Sequence, residues 1–245
     1  MTRWDLIYSF YLTEKNPYYS VKYKGTVLID RSALGFSFEK SGDFGENLSM
    51  LKPSYCEQRQ TYNLVVGKTK SALDNHRQVI IPLVELNGAK RQINLVVRAF
   101  NDGIAFRYEF PKQEHWKSYV MLDEKSTFNL AQNPTVHALF WDTFSNSHEG
   151  LYVTLPYREV QADKMMDLPT LFEFPNKIYI AITEANLRNY AGMYLKKNLN
   201  GSLTSQLSLL PNQKEQKVKA TLPHSTPWRV MMIGDQMATL MESNI

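Results

Sequence analysis

One segment of the sequence gathers several side chains that could bind or transform a ligand. From Trp141 to Gly150 it reads Trp-Asp-Thr-Phe-Ser-Asn-Ser-His-Glu-Gly, which combines an indole, an amide, an imidazole and two carboxylates. The turn-forming residues predict a loop, and binding residues of β proteins are concentrated on loops held by a rigid scaffold. Asn146 and His148 are therefore candidate substrate contacts. The same residue types are typical of a solvated turn, so a purely structural role stays open.

A second carboxylate, Glu184, directly follows the apolar segment 178–183. Its position at the end of a strand makes it a candidate functional group. In the structural interpretation, Thr183 caps a short helix over 184–190 that ends near Gly192. An acidic side chain in the first turn of a helix interacts favourably with the helix dipole. The pattern favours this structural role and predicts one or two helical turns there.

Composition and motifs exclude several classes of function. Hydrophobic residues make up 43% and charged residues 21% of the 245 residues, which is typical of a globular domain. The net charge of +4 is too small and dispersed to indicate a nucleic-acid partner. The sequence contains no phosphate loop, no dinucleotide-binding turn, no Gly-x-Ser-x-Gly segment and no zinc spacing among its histidines. Cys56, the single cysteine, cannot form an internal disulfide, and the lack of an obvious base among its neighbours argues against a nucleophilic role. No residue of the chain is assigned a catalytic role.

The elements that must position these side chains are strands. Apolar and polar residues alternate almost throughout, and helical patterns are scarce. The clearest hairpin joins 93–99 to 104–110 through Asn101-Asp102-Gly103, where Gly103 could supply a positive φ, and Pro111 ends its second strand. The pattern predicts an all-β fold, most simply a large two-sheet sandwich. Further strands are predicted at 4–12, 19–23, 27–29, 34–38, 126–130, 138–141, 151–155, 178–183, 203–209, 217–222 and 228–233.

The last residues carry a strand pattern without a polar tail. Residues 228–233 are almost wholly apolar, and 240–245 resemble the start of another strand. Native chain ends are usually polar unless they are tied down. The abrupt ending therefore predicts that the chain is a piece of a longer protein.

Several stretches together resemble the N-terminal domain of glycoside hydrolase family 97. Their order and spacing match that family along nearly the whole chain, although each motif alone would be weak. They are Ser32-Ala-Leu-Gly-Phe36, the segment 100–111, Ile182-Thr-Glu-Ala-Asn-Leu187 with Tyr190-Ala-Gly-Met193, and Thr226-Pro-Trp-Arg229 through Glu242-Ser243-Asn244.

The resemblance implies a specific architecture and role. It implies a galactose mutarotase-like β-supersandwich over residues 1–245, followed in the family by a (β/α)8 catalytic barrel that this chain lacks. Family members are calcium-dependent α-glucosidases or α-galactosidases, and the barrel carries the catalytic carboxylates. The N-terminal domain lends one carboxylate to an active-site Ca²⁺, and by its position that carboxylate maps to Glu149, with Glu184 as the second choice. The implied partners are the barrel and an α-linked oligosaccharide.

The chain also departs from the family. It has no signal peptide, which predicts a cytoplasmic location as written although the family is exported to the periplasm. It begins slightly inside the first strand, and Leu73-Asp-Asn-His-Arg-Gln78 replaces the Arg-Asn-x-Tyr-Asn-Glu stretch of many relatives. Without the barrel we expect no hydrolytic activity, only weak calcium binding or none, and self-association through the surface that would face the barrel.

Two alternatives remain open at this point. The domain could act alone as a carbohydrate-binding or docking module. It could also be an aldose epimerase, since supersandwich folds occur in aldose mutarotases and that chemistry needs an acid and a base on the sugar. His148 and Glu149 would be the pair, although neighbours on a strand point to opposite faces.

Overall fold

A computed structural model describes residues 5–245 and confirms an all-β fold. Trp4, which belongs to the predicted first strand, lies outside the described residues. Alternating apolar side chains produce strands because successive residues of a strand point to opposite faces, so one face can be buried.

The described residues form 22 strands, one short 3-10 helix (Tyr157–Glu159) and one α-helix, α1 (Met237–Glu242). In chain order the first strands are β1 (Leu6–Thr13), β2 (Asn16–Tyr23), β3 (Thr26–Ala33), β4 (Phe36–Phe38), β5 (Gly42–Phe44), β6 (Leu48–Met50), β7 (Ser54–Asn63), β8 (Ser71–Glu85), β9 (Gln92–Ala99), β10 (Gly103–Phe110) and β11 (Ser118–Glu124). The remaining strands are β12 (Thr135–Ala138), β13 (Phe140–Trp141), β14 (Val153–Pro156), β15 (Met165–Met166), β16 (Thr170–Glu173), β17 (Tyr179–Ala185), β18 (Met193–Lys197), β19 (Leu203–Leu207), β20 (Val218–Thr221), β21 (His224–Ser225) and β22 (Trp228–Gly234).

One layer of the sandwich is a single large antiparallel sheet. Its strands follow the order β14-β12-β16-β17-β22-β10-β9-β8-β6, with β21 paired to β10 and β7 paired to β8. Strands β17, β22, β10 and β9 lie at its centre, and their inward-facing residues are almost entirely apolar. Among the described strands β14 pairs only with β12, so it forms an open edge, and two residues separate it from the 141–150 segment.

The opposing layer consists of three smaller sheets. Their orders are β1-β2-β3, β20-β11-β4-β5 and β13-β15-β18-β19. All three bury side chains in one core against the large sheet, with Val21, Phe36 and Leu195 as examples. Aromatic rings link the two layers. The ring centroids of Phe36 and Tyr108 lie 4.6 Å apart in an edge-to-face arrangement. Such a pair contributes about 0.5–1.5 kcal/mol beyond the burial of its surface. The large two-sheet supersandwich is thus confirmed.

The predicted hairpin of β9 and β10 is present, but the reason for its glycine differs from the prediction. Gly103 has no positive φ. A Cβ atom at this position would lie 2.5 Å from the carbonyl oxygen of Met231 and would overlap the side chain of Ile245. Gly103 therefore permits a close approach of two backbones, and the expectation of a left-handed turn residue is wrong.

The helix predicted to begin at Glu184 is absent. Glu184 lies within β17, directly opposite Arg229 of β22, and the ladder between these strands continues to Ala185. Asn186 and Asn189 then adopt positive φ values of 60° and 50°, which are incompatible with a right-handed helix. Pairing with a central strand therefore outweighs the local capping signal.

Two further predictions of strands are wrong. Residues 126–130 form only isolated bridges, at Thr127 and Leu130. Residues 240–245 include the end of α1 rather than a strand, and the Met, Ala, Leu and Glu residues of α1 are good helix formers. The helix packs Thr239 against Gly234, where a Cβ atom would lie 2.7 Å from the threonine side chain.

Within residues 5–245, no helix is long and apolar enough to cross a membrane.

Candidate functional site

The 141–150 segment begins at the end of β13 and continues as an irregular loop, which a cluster of side chains around Asp167 fixes to the domain. Trp141 Nε1–H donates to Asp167 Oδ2 at 3.0 Å. His148 Nδ1 lies 2.7 Å from the same oxygen, so the Nδ1–H group donates to the Asp167 carboxylate. The Asp167 side chain is only 13% exposed, so these two bonds form near the base of the loop. One carboxylate thereby ties together both ends of the loop.

Tyr194 of β18 holds the loop from the other side. Its ring stacks on the imidazole of His148, with centroids 5.9 Å apart and planes 14° apart. The Tyr194 hydroxyl lies 3.4 Å from His148 Nε2, and Asn146 Nδ2 lies 3.4 Å from that hydroxyl. Asn146 also accepts the His148 backbone N–H at 3.1 Å. The structure therefore brings together the two predicted substrate contacts, and each forms hydrogen bonds within the domain.

Glu149 extends from this clamped loop into solvent. Its backbone N–H donates to Ser147 Oγ at 3.3 Å, which fixes the main chain. Among the described residues its carboxylate makes no hydrogen bond and no ion pair. Glu149 thus offers a free carboxylate from a fixed backbone.

The residues next to Glu149 form an exposed apolar patch. Leu151, Tyr152 and Val153 are 89%, 62% and 46% exposed, and Val153 begins the open edge strand β14. Patches of this kind mark interaction surfaces in soluble proteins. The free carboxylate therefore borders a surface suited to a partner.

Residues 5–245 contain no group of three or more His, Cys, Asp or Glu side chains that could enclose a metal ion. Ca²⁺ takes six to eight oxygen ligands, so Glu149 could supply only one part of a calcium site. The donor type fits, because a carboxylate is a hard oxygen ligand. Any remaining ligands would have to come from water, substrate or another polypeptide segment.

Glu184 is occupied by a buried network around Arg229. The Arg229 guanidinium is fully buried and donates from Nη1 to Glu184 Oε2 at 2.8 Å. It also makes a two-point contact with Glu124 of β11, at 2.9 and 2.6 Å. Glu184 Oε1 accepts the Met193 backbone N–H at 3.0 Å. The network joins the two layers of the sandwich, and both Glu184 oxygens are engaged in it.

The protonation of this network follows from its burial. Burial by itself raises the pKa of Glu124, but Arg229, with Tyr190 and Ser126, brings that pKa below its ordinary value. Burial raises the pKa of Glu184, and the interaction with Arg229 only partly opposes this. The Arg229 pKa is raised mainly by its interaction with Glu124, against the effect of burial. Arg229 therefore stays charged between two carboxylates of unequal acidity.

The structure separates the predicted residues into two groups. Asn146, His148 and Glu149 lie on one loop, whereas Glu184 belongs to the core network. Asp167 and Tyr194, which fix that loop, were not predicted. They lie far from residues 141–150 along the chain, and no local sequence pattern connects them to the loop. Arg229 could have been suspected, since it is the one charged residue in the apolar strand 228–233.

Similar proteins are glycosidases. A retaining α-galactosidase of Bacteroides thetaiotaomicron is 25% identical over 183 residues, covering 64% of this chain and 27% of that protein. A probable retaining α-galactosidase of Streptomyces bingchenggensis is 30% identical over 226 residues, covering 89% of this chain and 32% of that protein. The chain thus spans about a third of the length of these relatives.

Solved structures share the fold. A glycoside hydrolase family 97 enzyme from Pseudoalteromonas sp. strain K8, in complex with acarbose, aligns with a TM-score of 0.89 at 25% identity, covering 98% of this chain and 36% of that one. A β-arabinopyranosidase aligns with a TM-score of 0.87 at 22% identity, covering 98% of this chain and 40% of that one. At this identity the alignment shows a shared fold and nothing more.

These observations define a β-supersandwich of the kind that carbohydrate-active enzymes contain. The family model described as "Glycosyl-hydrolase 97 N-terminal" matches residues 5–245. The chain belongs to this family, and the resemblance inferred from its motifs is confirmed.

Proposed function

We propose that this domain is the accessory N-terminal part of a calcium-dependent, exo-acting α-glycosidase. In this proposal it packs on a (β/α)8 barrel and contributes the Glu149 carboxylate to a calcium ion at the active site. Membership of the family supports the association with a barrel. The two retaining α-galactosidases similar to the chain support an α-linked glycoside as the substrate.

The observation that carries the proposal is that the Glu149 carboxylate makes no hydrogen bond or ion pair among the described residues. A buried or ion-paired carboxylate would have to break existing contacts to bind a metal, as Glu184 would with Arg229. Glu149 has no such contact among the described residues, and its loop is fixed by Asp167 and Tyr194. Glu149 is therefore the better candidate of the two.

The residues of this chain would position the ion and not perform the bond cleavage. Calcium, when bound, would supply positive charge that orients and polarises an oxygen of the substrate. Glycoside hydrolysis also needs two carboxylates that flank one bond, about 5–9.5 Å apart. Glu149 and Glu184 do not form such a pair, because Glu184 is committed to the core network. The domain alone should therefore be inactive.

The first experiment compares the chain with and without a barrel. The purified 245-residue chain is assayed with nitrophenyl α-galactoside and α-glucoside in the presence of calcium. A chimaera, in which residues 5–245 precede the barrel of the Streptomyces relative, is assayed in parallel. We expect hydrolysis by the chimaera only, and hydrolysis by the chain alone would overturn the accessory role.

A substitution then tests Glu149 itself. In the chimaera, Glu149→Gln should weaken calcium binding by on the order of 10-fold or more, measured by chelator titration, because a charged oxygen ligand is lost. Glu159→Gln is the matched control, since Glu159 is also exposed and acidic. Equal calcium affinities of the two variants would contradict the assignment of Glu149.

A further inference from the structure

A polar cavity lies on the outer face of the large sheet. Its volume is about 420 Å³, within the range of about 300–1,000 Å³ common for small-molecule sites. It opens between β9, β10, β21 and the turn 186–189, and none of its lining residues belongs to the 141–150 loop. It is therefore distinct from the region of Glu149.

The floor of the cavity is a row of polar side chains across three adjacent strands. Glu109 is the register partner of Asn94 on one side and of Ser225 on the other. Such cross-strand neighbours have Cβ atoms about 4.5–5.5 Å apart and point to the same face. Arg107, two residues along β10, forms an ion pair with Glu109. The floor thus presents amide, carboxylate and hydroxyl groups with little net charge.

The wall of the cavity is the turn between β17 and β18. Asn186, Arg188 and Asn189 line it and are exposed. Among the described residues their side chains make no hydrogen bond or ion pair. The positive φ values of Asn186 and Asn189 fix the course of this turn. The wall therefore carries donors and acceptors that are free to bind a ligand.

His224 stands where this cavity meets a larger groove. Its Nδ1 lies 2.7 Å from the Tyr119 hydroxyl, and its ring stacks on Tyr190 with planes 21° apart. Burial lowers its pKa, partly offset by the Asn189 backbone, so the imidazole is neutral at pH 7. Its Nε2 is shielded from solvent and has no hydrogen-bond partner within residues 5–245. The groove beyond, about 1,020 Å³, also contains Asn189 and His224.

We infer that this cavity binds a neutral pyranose unit of an oligosaccharide. Sugar hydroxyls both donate and accept hydrogen bonds, and the lining offers amide groups that do both, a carboxylate that accepts and a guanidinium that donates. The Glu109 charge is balanced by Arg107, so an anionic ligand would meet only Arg188. The adjoining groove provides room for a second sugar unit.

The test is a titration of the isotopically labelled 245-residue chain followed by NMR. Galactose, glucose, melibiose and maltotriose are added separately, with a chelator present so that calcium plays no part. We expect saturable shifts of the backbone amides of 186–189 and 224–225, at millimolar concentrations of at least one sugar. No shift with any sugar, or shifts confined to 141–150, would overturn the inference.

Two substitutions locate the ligand. Asn186→Gly keeps a residue that tolerates positive φ while it removes the amide, and Arg188→Ala removes the guanidinium. Each should weaken binding by about 10-fold, as expected for the loss of one hydrogen bond to a polar or charged group. Arg158→Ala, at an exposed site elsewhere, should leave binding unchanged. Unchanged affinity in both cavity variants would refute the site, and this result is independent of Glu149 and the barrel.

Discussion

At the scale of single residues, the most unusual feature is the buried charge of Arg229. It lies between Glu124 and Glu184 with no exposed surface, in a core that is mostly apolar. A buried ion pair is weak evidence for stability, because desolvation offsets most of the attraction. Its directional contacts nevertheless connect β22 to both β17 and β11. We interpret Arg229 as the residue that fixes the position of β11, in one layer, relative to β22 and β17, in the other.

Substitution of Arg229 by methionine should be strongly destabilising. Arg229→Met leaves Glu124 buried without its counter-charge, which should lower the free energy of unfolding by about 3–5 kcal/mol at pH 7. Urea denaturation followed by circular dichroism measures this difference. Arg158→Met, at a site where the side chain is 74% exposed, is the matched control and should change stability by less than about 0.5 kcal/mol.

The same variant should show a distinctive dependence on pH. In the native protein the pKa of Glu124 is lowered, so its ionised form contributes stability above the unfolded pKa of about 4.3, and this is lost as the pH falls through the folded pKa. Without Arg229, burial raises that pKa instead, and protonation then favours the folded state. The stability difference between the proteins should therefore shrink from pH 7 toward about pH 5. A difference that stays constant would contradict this account.

At the scale of elements, the central strands β10 and β22 pack unusually closely at Gly103. The turn signal Asn101-Asp102-Gly103 located the hairpin correctly, but the constraint on the glycine comes from Met231 and Ile245. Both residues are more than 100 positions away in sequence, so no local pattern could reveal it. The register between β10 and β22 brings Gly103 against the backbone of Met231, so this position must lack a side chain.

Gly103→Ala should therefore destabilise the domain. The added methyl group would overlap the carbonyl oxygen of Met231, and we expect a loss of about 1–3 kcal/mol, typical of overpacking. Gly192→Ala is the matched control, because its φ is not positive and its nearest neighbour would be Glu184 Oε1 at 3.7 Å. Thermal denaturation of both variants checks the prediction, which fails if the two lose stability equally.

The wrongly predicted helix at Glu184 shows the limit of local signals at this scale. Thr183 and Glu184 carry a capping pattern, and nothing nearby in sequence opposes it. The ladder with β22 continues through Glu184 to Ala185, and this pairing with a central strand outweighs the local capping signal. Strand pairing depends on residues about 45 positions away, which a local pattern does not contain.

At the scale of the whole molecule, one group of adjacent exposed apolar residues borders the candidate site. Leu151, Tyr152 and Val153 adjoin Glu149 and continue onto the open edge at β14. Open edges and apolar patches both promote association between chains. This surface is where we expect a barrel to pack, in keeping with the proposed accessory role.

The isolated chain should self-associate through this surface. Sedimentation velocity over increasing concentration should show a rising average mass, and Leu151→Lys with Tyr152→Lys should shift the protein toward the monomer. Leu199→Lys is the control, because Leu199 is 90% exposed but belongs to the turn between β18 and β19. A monomer at every concentration, or an equal effect of the control, would refute the prediction.

The sequence by itself determined the all-β class, most strand positions and the family, because these depend on local alternation and on motifs read in order. It also identified the loop that carries Asn146, His148 and Glu149. Only the tertiary structure decided that Glu184 belongs to a core ion network and that the Glu149 carboxylate has no partner among residues 5–245. The physical reason is that ion pairing and close packing depend on which distant residues meet across two layers, and this meeting is fixed by strand order and register.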